Sequence, residues 1–371
     1  MDRYVLSSNV KRLRKSKGLT QRALADVAGV SLPAIKNLER RKSTPRGKTV
    51  RLLAEGLEVP VAELFRPVRP LRSVRFRSRK RIRDRERIVA ETARWLEDFE
   101  DLEDLLEERV PFRLEEVLAC CSGDDPVGAA LRCREALGLG TREPLLDVCG
   151  TLEAAGVKVR QTRVASEGFF GLSVAQEDGG PAIVINSWER IPVERQIFSA
   201  AHELGHLVLH RDAFDVERVE ENRKEETEAN EFASHFLMPE EGFVKEWEDA
   251  AGLHPLDRIF KVKRIFHVSY QTILFRLGRR PGARPPEVWT WFNRQYQKRY
   301  GHPLSIKEEP FPMASAEPFG LNPFDFQPDR FHRLVRKAID TEEISLSRGA
   351  ELLGISVEEM IEVIRSWETI H

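Results

Sequence analysis

Over the first 66 residues, apolar positions recur at helical spacing in short groups separated by polar turns. Val10, Leu13 and Leu19 open the pattern. Thr20 then stands as an N-cap ahead of Ala23, Leu24, Val27 and Ala28, and Gly29 ends that run. Ser31 caps the next group, Ala34, Ile35 and Leu38, and a later one holds Val50, Leu53, Ala54 and Leu57. The spacing predicts five short helices over about residues 4–66. A helix, a glycine-centred turn and a second helix form the helix-turn-helix arrangement.

Beyond residue 66 the pattern changes. Residues 66–87 are rich in arginine, with Pro67 and Pro70, and read as a linker entering a helix. Helical spacing returns over 127–137 and 144–155. Three β-type runs follow at 157–164, 169–175 and 182–186, the last two joined by the turn Asp178-Gly179-Gly180-Pro181. They predict a small antiparallel sheet. A long helix over 193–210, an acidic loop and a second helix over about 224–237 come next, and more helices run to about residue 279. The fold class expected is α+β and mostly helical. Its parts are a helix-turn-helix domain at 1–66, a basic linker and acidic helical connector at 67–145, and an α+β domain at 146–280. A proline-rich linker at 281–328 and a C-terminal helical unit at 329–371 complete it.

Composition narrows the class. Hydrophobic residues at 41% and charged residues at 32% fit a globular chain and exclude a disordered or fibrous one. No run of about 18 apolar residues occurs, so no membrane span is expected. Residues 1–11 are polar and run directly into a helical pattern, unlike a secretory leader. Cys120, Cys121, Cys133 and Cys149 cluster without paired metal spacing and read as reduced thiols, so the expected compartment is the cytoplasm. The net charge of −1 hides a strong polarity. Residues 1–65 hold fourteen Lys or Arg against six acids, and residues 66–87 hold eleven against two. Residues 91–116 reverse the sign, with eleven acids and three arginines. A basic end on an otherwise acidic chain is the electrostatic footprint of nucleic-acid binding.

The chemistry is concentrated in His202-Glu203-Leu204-Gly205-His206. On a helix, residues four apart share a face, so His202 and His206 can present two imidazole nitrogens to one cation. Glu203 reaches the attacking water instead of the metal and serves as general base. Ile197, Phe198, Ala201, Leu204 and Val208 supply the apolar stripe that the helix requires. A catalytic zinc site needs a third protein ligand and an open position. The second helix offers Glu225, Glu226, Glu228 and Glu231. Glu226 shares the inward face of Ala229 and Ala233, Glu225 lies close to it, and Glu228 and Glu231 fall to the flank. His210 is two turns from His202, too far to share one ion, and reads as structural, while His235 and His267 read as ordinary histidines.

The order of these features resembles the ImmA/IrrE family of metallo-endopeptidases. It comprises H-E-x-x-H, then Glu226 in E-T-E-A-N, then F-A-S-H-F-L-M-P. The likeness runs from Ile183-Val184-Ile185-Asn186 to Val268-Ser269-Tyr270 and Arg276-Leu277, over roughly residues 150–280. It implies a compact zincin-like domain that cleaves repressor proteins, with His202, His206 and Glu226 as metal ligands and Glu203 as the catalytic residue. The expected ion is Zn2+, with Mn2+ as the alternative. Where the family carries Arg-Phe-Thr before the motif, this chain has Gln196-Ile197-Phe198-Ser199, a change of packing. Tyr270 is the candidate for stabilising the oxyanion.

Residues 9–65 resemble the XRE family of phage-repressor-like helix-turn-helix domains, through T-Q-R-A-L-A at Thr20 and V-S-L-P-A-I-K-N-L-E-R at Val30. The second helix of such a pair presents side chains to base edges while flanking groups hold phosphates. Ser31, Leu32, Pro33, Lys36 and Asn37 are the recognition candidates, with Asn37 suited to adenine. Gln21, Arg40, Arg41 and Lys42 are candidates for phosphate. Polar residues usually follow the capping serine in this family, and Leu32-Pro33 depart from that. The basic stretch 66–87 either extends the phosphate footprint or pairs with the acidic segment 91–116. The helix-turn-helix-like pattern at 344–355 reads as a packing or dimerisation module.

The expected partners are double-stranded DNA through residues 1–66, a repressor-type protein substrate and, for a homodimer, a second copy of the chain. Two functions fit. One is a zinc endopeptidase that cleaves a regulatory protein to control transcription, with a stress response as the setting. The other is a regulator or antitoxin whose peptidase-like domain senses a metal or ligand. The retained Glu203 favours catalysis, because a purely structural metal needs no general base.

Overall fold

The computed structural model describes residues 3–66, 70–78, 85–120, 125–166, 168–216, 222–280, 282, 284–304 and 317–368. Cys121 and parts of both linkers, residues 67–69, 79–84 and 305–316, lie outside them. Two units emerge: one from Met1–Leu71 and Ile82–Asp98, the other from Arg72–Arg81 and Phe99–His371.

The first unit holds α1 (Arg3–Ser16), α2 (Gln21–Val27), α3 (Leu32–Glu39) and α4 (Gly47–Gly56), and its fifth helical element is a 3-10 turn at Val61–Leu64. Leu24, Leu53, Leu57 and Leu64 are fully buried at its centre, with Leu6, Val10, Ile35 and Leu38 around them. The caps expected from sequence form: Thr20 Oγ1 accepts the Ala23 amide at 3.0 Å, and Ser31 Oγ accepts that of Ala34 at 3.3 Å. Gly29, at φ 63°, supplies the left-handed turn between α2 and α3.

In chain order the remaining elements begin with β1 (Val74–Ser78), α5 (Arg85–Leu105), α6 (Glu115–Cys120), α7 (Pro126–Ala136) and α8 (Val148–Ala154). Strands β2 (Lys158–Thr162), β3 (Phe169–Val174) and β4 (Ala182–Asn186) follow, then α9 (Val193–Leu209) and α10 (Arg223–Leu237). The chain continues through α11 (Glu240–Asp249), α12 (Pro255–Ile265), α13 (Tyr270–Gly278) and α14 (Pro285–Tyr300). It closes with α15 (Arg330–Asp340), α16 (Leu346–Leu353) and α17 (Val357–Glu368).

Three sequence expectations are corrected here. The sheet, ordered β1-β3-β4-β2, is mixed instead of antiparallel: β3 runs antiparallel to β1 and β4, but β2 lies parallel to β4. Strand β4 is buried along its whole length, so no alternation of apolar and polar residues marks the direction of its neighbours. The basic linker supplies an edge strand, because Val74 and Phe76 alternate with Arg75 and Arg77. The proline-rich stretch carries a sixteen-residue helix, α14, with prolines at its first positions, where a missing amide does no harm. Phe292 of that helix and Phe326 beyond it are buried in the main core. Each such ring contributes about 2–3 kcal/mol of burial free energy.

Candidate functional site

Helix α9 is buried almost throughout, packed on β3 and β4 on one side and on α7 and α10 on another. His202, Glu203 and His206 are all 0% exposed. The two imidazoles sit one turn apart with their Nε2 atoms at 2.9 Å, so both point at one spot.

The approach of α10 depends on Gly205, where a Cβ would stand 3.0 Å from the Phe232 ring. A Cβ there would make Phe232 give way by a few tenths of an ångström. Two buried arginines fix the far end of α10: Arg134 donates to the Phe236 carbonyl at 2.7 Å and Arg276 to that of Met238 at 2.9 Å. Cations belong at such a C-terminus, where carbonyls lack helical partners. With α10 so placed, Glu226 sets one carboxylate oxygen 3.2 Å from His202 Nε2 and the other 3.2 Å from His206 Nε2. One donor atom from each of His202, His206 and Glu226 falls within 4.8 Å of the other two.

The donors suit a divalent ion. His202 Nδ1 pairs with Asn230 Oδ1 at 3.0 Å, and His206 Nδ1 with His210 Nδ1 at 2.9 Å. His210 Nε2 in turn meets Glu228 at 2.9 Å. One set of tautomers satisfies this chain. His202 and His206 donate from Nδ1, His210 donates from Nε2, and both inner Nε2 atoms keep their lone pairs. Burial, reinforced by His202, holds His206 well below the ordinary imidazole range, so it stays neutral. The Arg75 guanidinium, 3.0 Å from Glu226 Oε1, favours the ionised form of that carboxyl. Two neutral nitrogens and one carboxylate are a zinc-type donor set.

Glu203 leans the other way, towards the sheet. Ser173 Oγ donates to its Oε2 at 2.7 Å, and Gly171, two residues earlier on β3, leaves room beside its Cγ. Arg75 on β1 is the cross-strand partner of Ser173. Its guanidinium bridges Glu225 and Glu226, reaching Glu226 Oε1 at 3.0 Å.

Several expectations meet this geometry. Glu226 joins the histidine pair, whereas Glu225, the runner-up, pairs with Arg75. Glu228 and His210 form the outer part of the same chain, and Glu231 pairs with Arg279 at 2.7 Å. His235 stands apart, and burial pushes it down to about 4. Tyr270 is drawn into the core, its ring stacked on Phe292 at 5.1 Å and edge-on to Trp289. Sequence reasoning missed Arg75, Ser173 and Asn230. Asn230 had a usable signal, since it lies four residues beyond Glu226 on the same helix face. Cys133 and Cys149 are buried in the main core.

In the first unit, Ser31, Pro33, Lys36, Asn37, Arg40 and Arg41 are exposed on or beside α3. Leu32 is half-buried and packs on the domain core, so its role is structural as well as positional. Gln21 donates to Glu39 at 2.7 Å, and Glu39 is also gripped by Arg14 at 2.6 and 3.0 Å. Arg41, with φ 61°, reaches Ser8 at 3.4 Å. Arg66 pairs with Asp98 at 2.6 Å and Arg87 with Glu91 at 3.3 Å. Together with Arg75, these pairs commit part of the basic stretch to intramolecular partners.

Comparison with known families gives two matches. Residues 152–278 match the IrrE N-terminal-like domain of the Peptidase_M78 family, and residues 10–64 match the helix-turn-helix family HTH_3. No curated protein matches the chain. A transcriptional regulator of Mycobacterium tuberculosis is similar at 22% identity over 50% of this chain and 53% of its own, with a TM-score of 0.31. The chain thus spans about half the length of that solved structure. Among the described residues, no helix is long and apolar enough to cross a membrane.

Proposed function

From a chain that joins an XRE-type helix-turn-helix domain at 10–64 to an IrrE-like domain at 152–278, we propose a DNA-binding, zinc-dependent endopeptidase. Its substrate is a regulatory protein of the repressor type, cleaved to control transcription. The observation that carries this reading is Glu203, a buried carboxylate one residue from a metal ligand and held by Ser173. A structural metal site has no use for such a group.

Zn2+ held by His202, His206 and Glu226, with Mn2+ as the alternative, would polarise the scissile carbonyl and acidify the attacking water. Glu203 accepts the proton of that water and passes it to the leaving amine. Ser173 donates to one Glu203 oxygen, Oε2, which leaves Oε1 to take that proton. Asn230 and His210 hold the imidazoles in the tautomer that keeps Nε2 available. The exposed face of α3, with Asn37 and Lys36, brings the molecule to DNA.

A second reading has its own support. The complete burial of His202, Glu203 and His206 suits a closed metal-sensing regulator that does not cut. Both readings meet one experiment, in which the protein is incubated with zinc and the repressor encoded nearest to it, beside Glu203→Gln. The peptidase reading expects cleavage by the wild type, a loss of about 10²–10⁴-fold in the variant, and equal DNA binding by both. Equal DNA binding with no cleavage by either protein would establish the regulator instead.

A further inference from the structure

Arg75 lies outside the segment that matches the IrrE-like family, in a stretch whose charge pointed to a linker. Its guanidinium is nevertheless inside the metal centre, 9% exposed and forked between Glu225 and Glu226. We propose that Arg75 is a positioning residue for the third ligand, and that through it the docking of strand β1 is linked to occupancy of the metal centre. The proposal rests on the reading of His202, His206 and Glu226 as metal ligands.

Glu225 and Glu226 are neighbours on one turn of α10, and Glu226 must turn inward beside two buried rings. One cation between the two acids leaves a single net negative charge to face a divalent ion. It also gives the Glu226 carboxylate an outer hydrogen bond of the kind that orients metal ligands. A planar guanidinium can serve both acids at once, whereas an ammonium is a point charge with no fixed fork.

Arg75 faces Ser173 across the β1–β3 pair, so one cross-strand position supports both Glu226 and Glu203. A slip of β1 by one residue would turn Arg75 to the opposite face and withdraw that support. The register is pinned from outside the strand. The Asp178 carboxylate accepts the amides of Arg72 and Ser73, and the Arg72 carbonyl accepts the amide of Val216 at 2.7 Å. In the chain, β1 lies between the two segments, Met1–Leu71 and Ile82–Asp98, that form the DNA-binding unit.

The test uses the full chain and zinc alone. Chelator competition gives the zinc dissociation constant of the wild type, Arg75→Gln, Arg75→Lys, Glu225→Gln and His202→Ala. Hydrogen exchange follows residues 72–78 with and without zinc. Arg75→Gln is expected to weaken zinc binding about 10–100-fold, with partial recovery in Arg75→Lys and a smaller loss in Glu225→Gln. Zinc is expected to slow exchange of 72–78 in the wild type but not in Arg75→Gln. The exchange measurement on the wild type stands even if that variant does not fold. Zinc affinity within about twofold of wild type in Arg75→Gln overturns the proposal, as does exchange of 72–78 that ignores zinc. If His202→Ala also keeps full affinity, the metal reading itself has failed, which is a separate result.

Discussion

The cluster of His202, His206 and Glu226 and the face of α3 place their polar groups in opposite settings. At the centre, both imidazoles and Glu203 are wholly buried, and each has a named neighbour that orients it. On α3, Lys36 and Asn37 stand in solvent on a helix fixed from beneath by Ile35 and Leu38. The first arrangement holds polar groups in one geometry before any partner arrives, as bond-making chemistry requires. The second leaves side chains free to adapt to a groove and puts the rigidity into the scaffold. Buried chemistry therefore depends on many residues, while surface reading depends on few.

That contrast can be broken or sharpened by experiment. The largest effect is expected at the ligands. His202→Ala or Glu226→Ala should abolish stoichiometric zinc in the purified protein, measured by elemental analysis. Retention of zinc by either would mean that the three donors do not act together. Next come the outer partners. His210→Ala and Glu228→Ala should each weaken zinc binding by about 10-fold or more without changing DNA binding. If both are silent, the interior is no more interdependent than the surface. On α3, Asn37→Ala should cost about 1–3 kcal/mol at one base position of the operator, read by binding to a panel of single-base variants. A uniform loss across the panel would reassign Asn37 to the backbone.

The smallest effect concerns the scaffold under that surface. Burial alone would raise the Glu39 carboxyl, but hydrogen bonds from Arg14 and Gln21 outweigh it and hold the group below its ordinary value of 4.5. A carboxyl depressed by folding stabilises the native state above its unfolded pKa, and that contribution fades as pH falls through the folded value. Glu39→Gln should therefore lower the melting temperature at pH 7, by the equivalent of about 1–2 kcal/mol. The difference from wild type should close as the pH drops below 4.5. A gap independent of pH would show that shape, and not charge, ties α3 to Arg14.

How legible these regions were follows from their chemistry. The pair His202 and His206 could be read because a one-turn spacing is local, and Glu226 because α10 has a clear apolar face. Arg75 and Ser173 act across distances that no spacing records, whereas His210 stands one turn from His206, the same spacing as the pair itself. The alternation of Val74 and Phe76 with arginines was a strand signal, hidden by the charge of its neighbours. Prolines concealed α14 in the same way, although Trp289, Phe292 and Tyr296 repeat at helical spacing. Strand direction in the sheet depends on which edge β2 takes, and completely buried strands look alike in either direction.

The position of β1 bears on how the molecule can be divided. A polypeptide trimmed to 152–278 would keep His202, Glu203, His206 and Glu226, yet β3 would lose the partner on its outer flank. Unpaired amides and carbonyls along a bare edge invite pairing with another molecule, and such a fragment should self-associate. Recognisable ancestry and cooperative integrity thus have different borders here, and the wider border begins before residue 74.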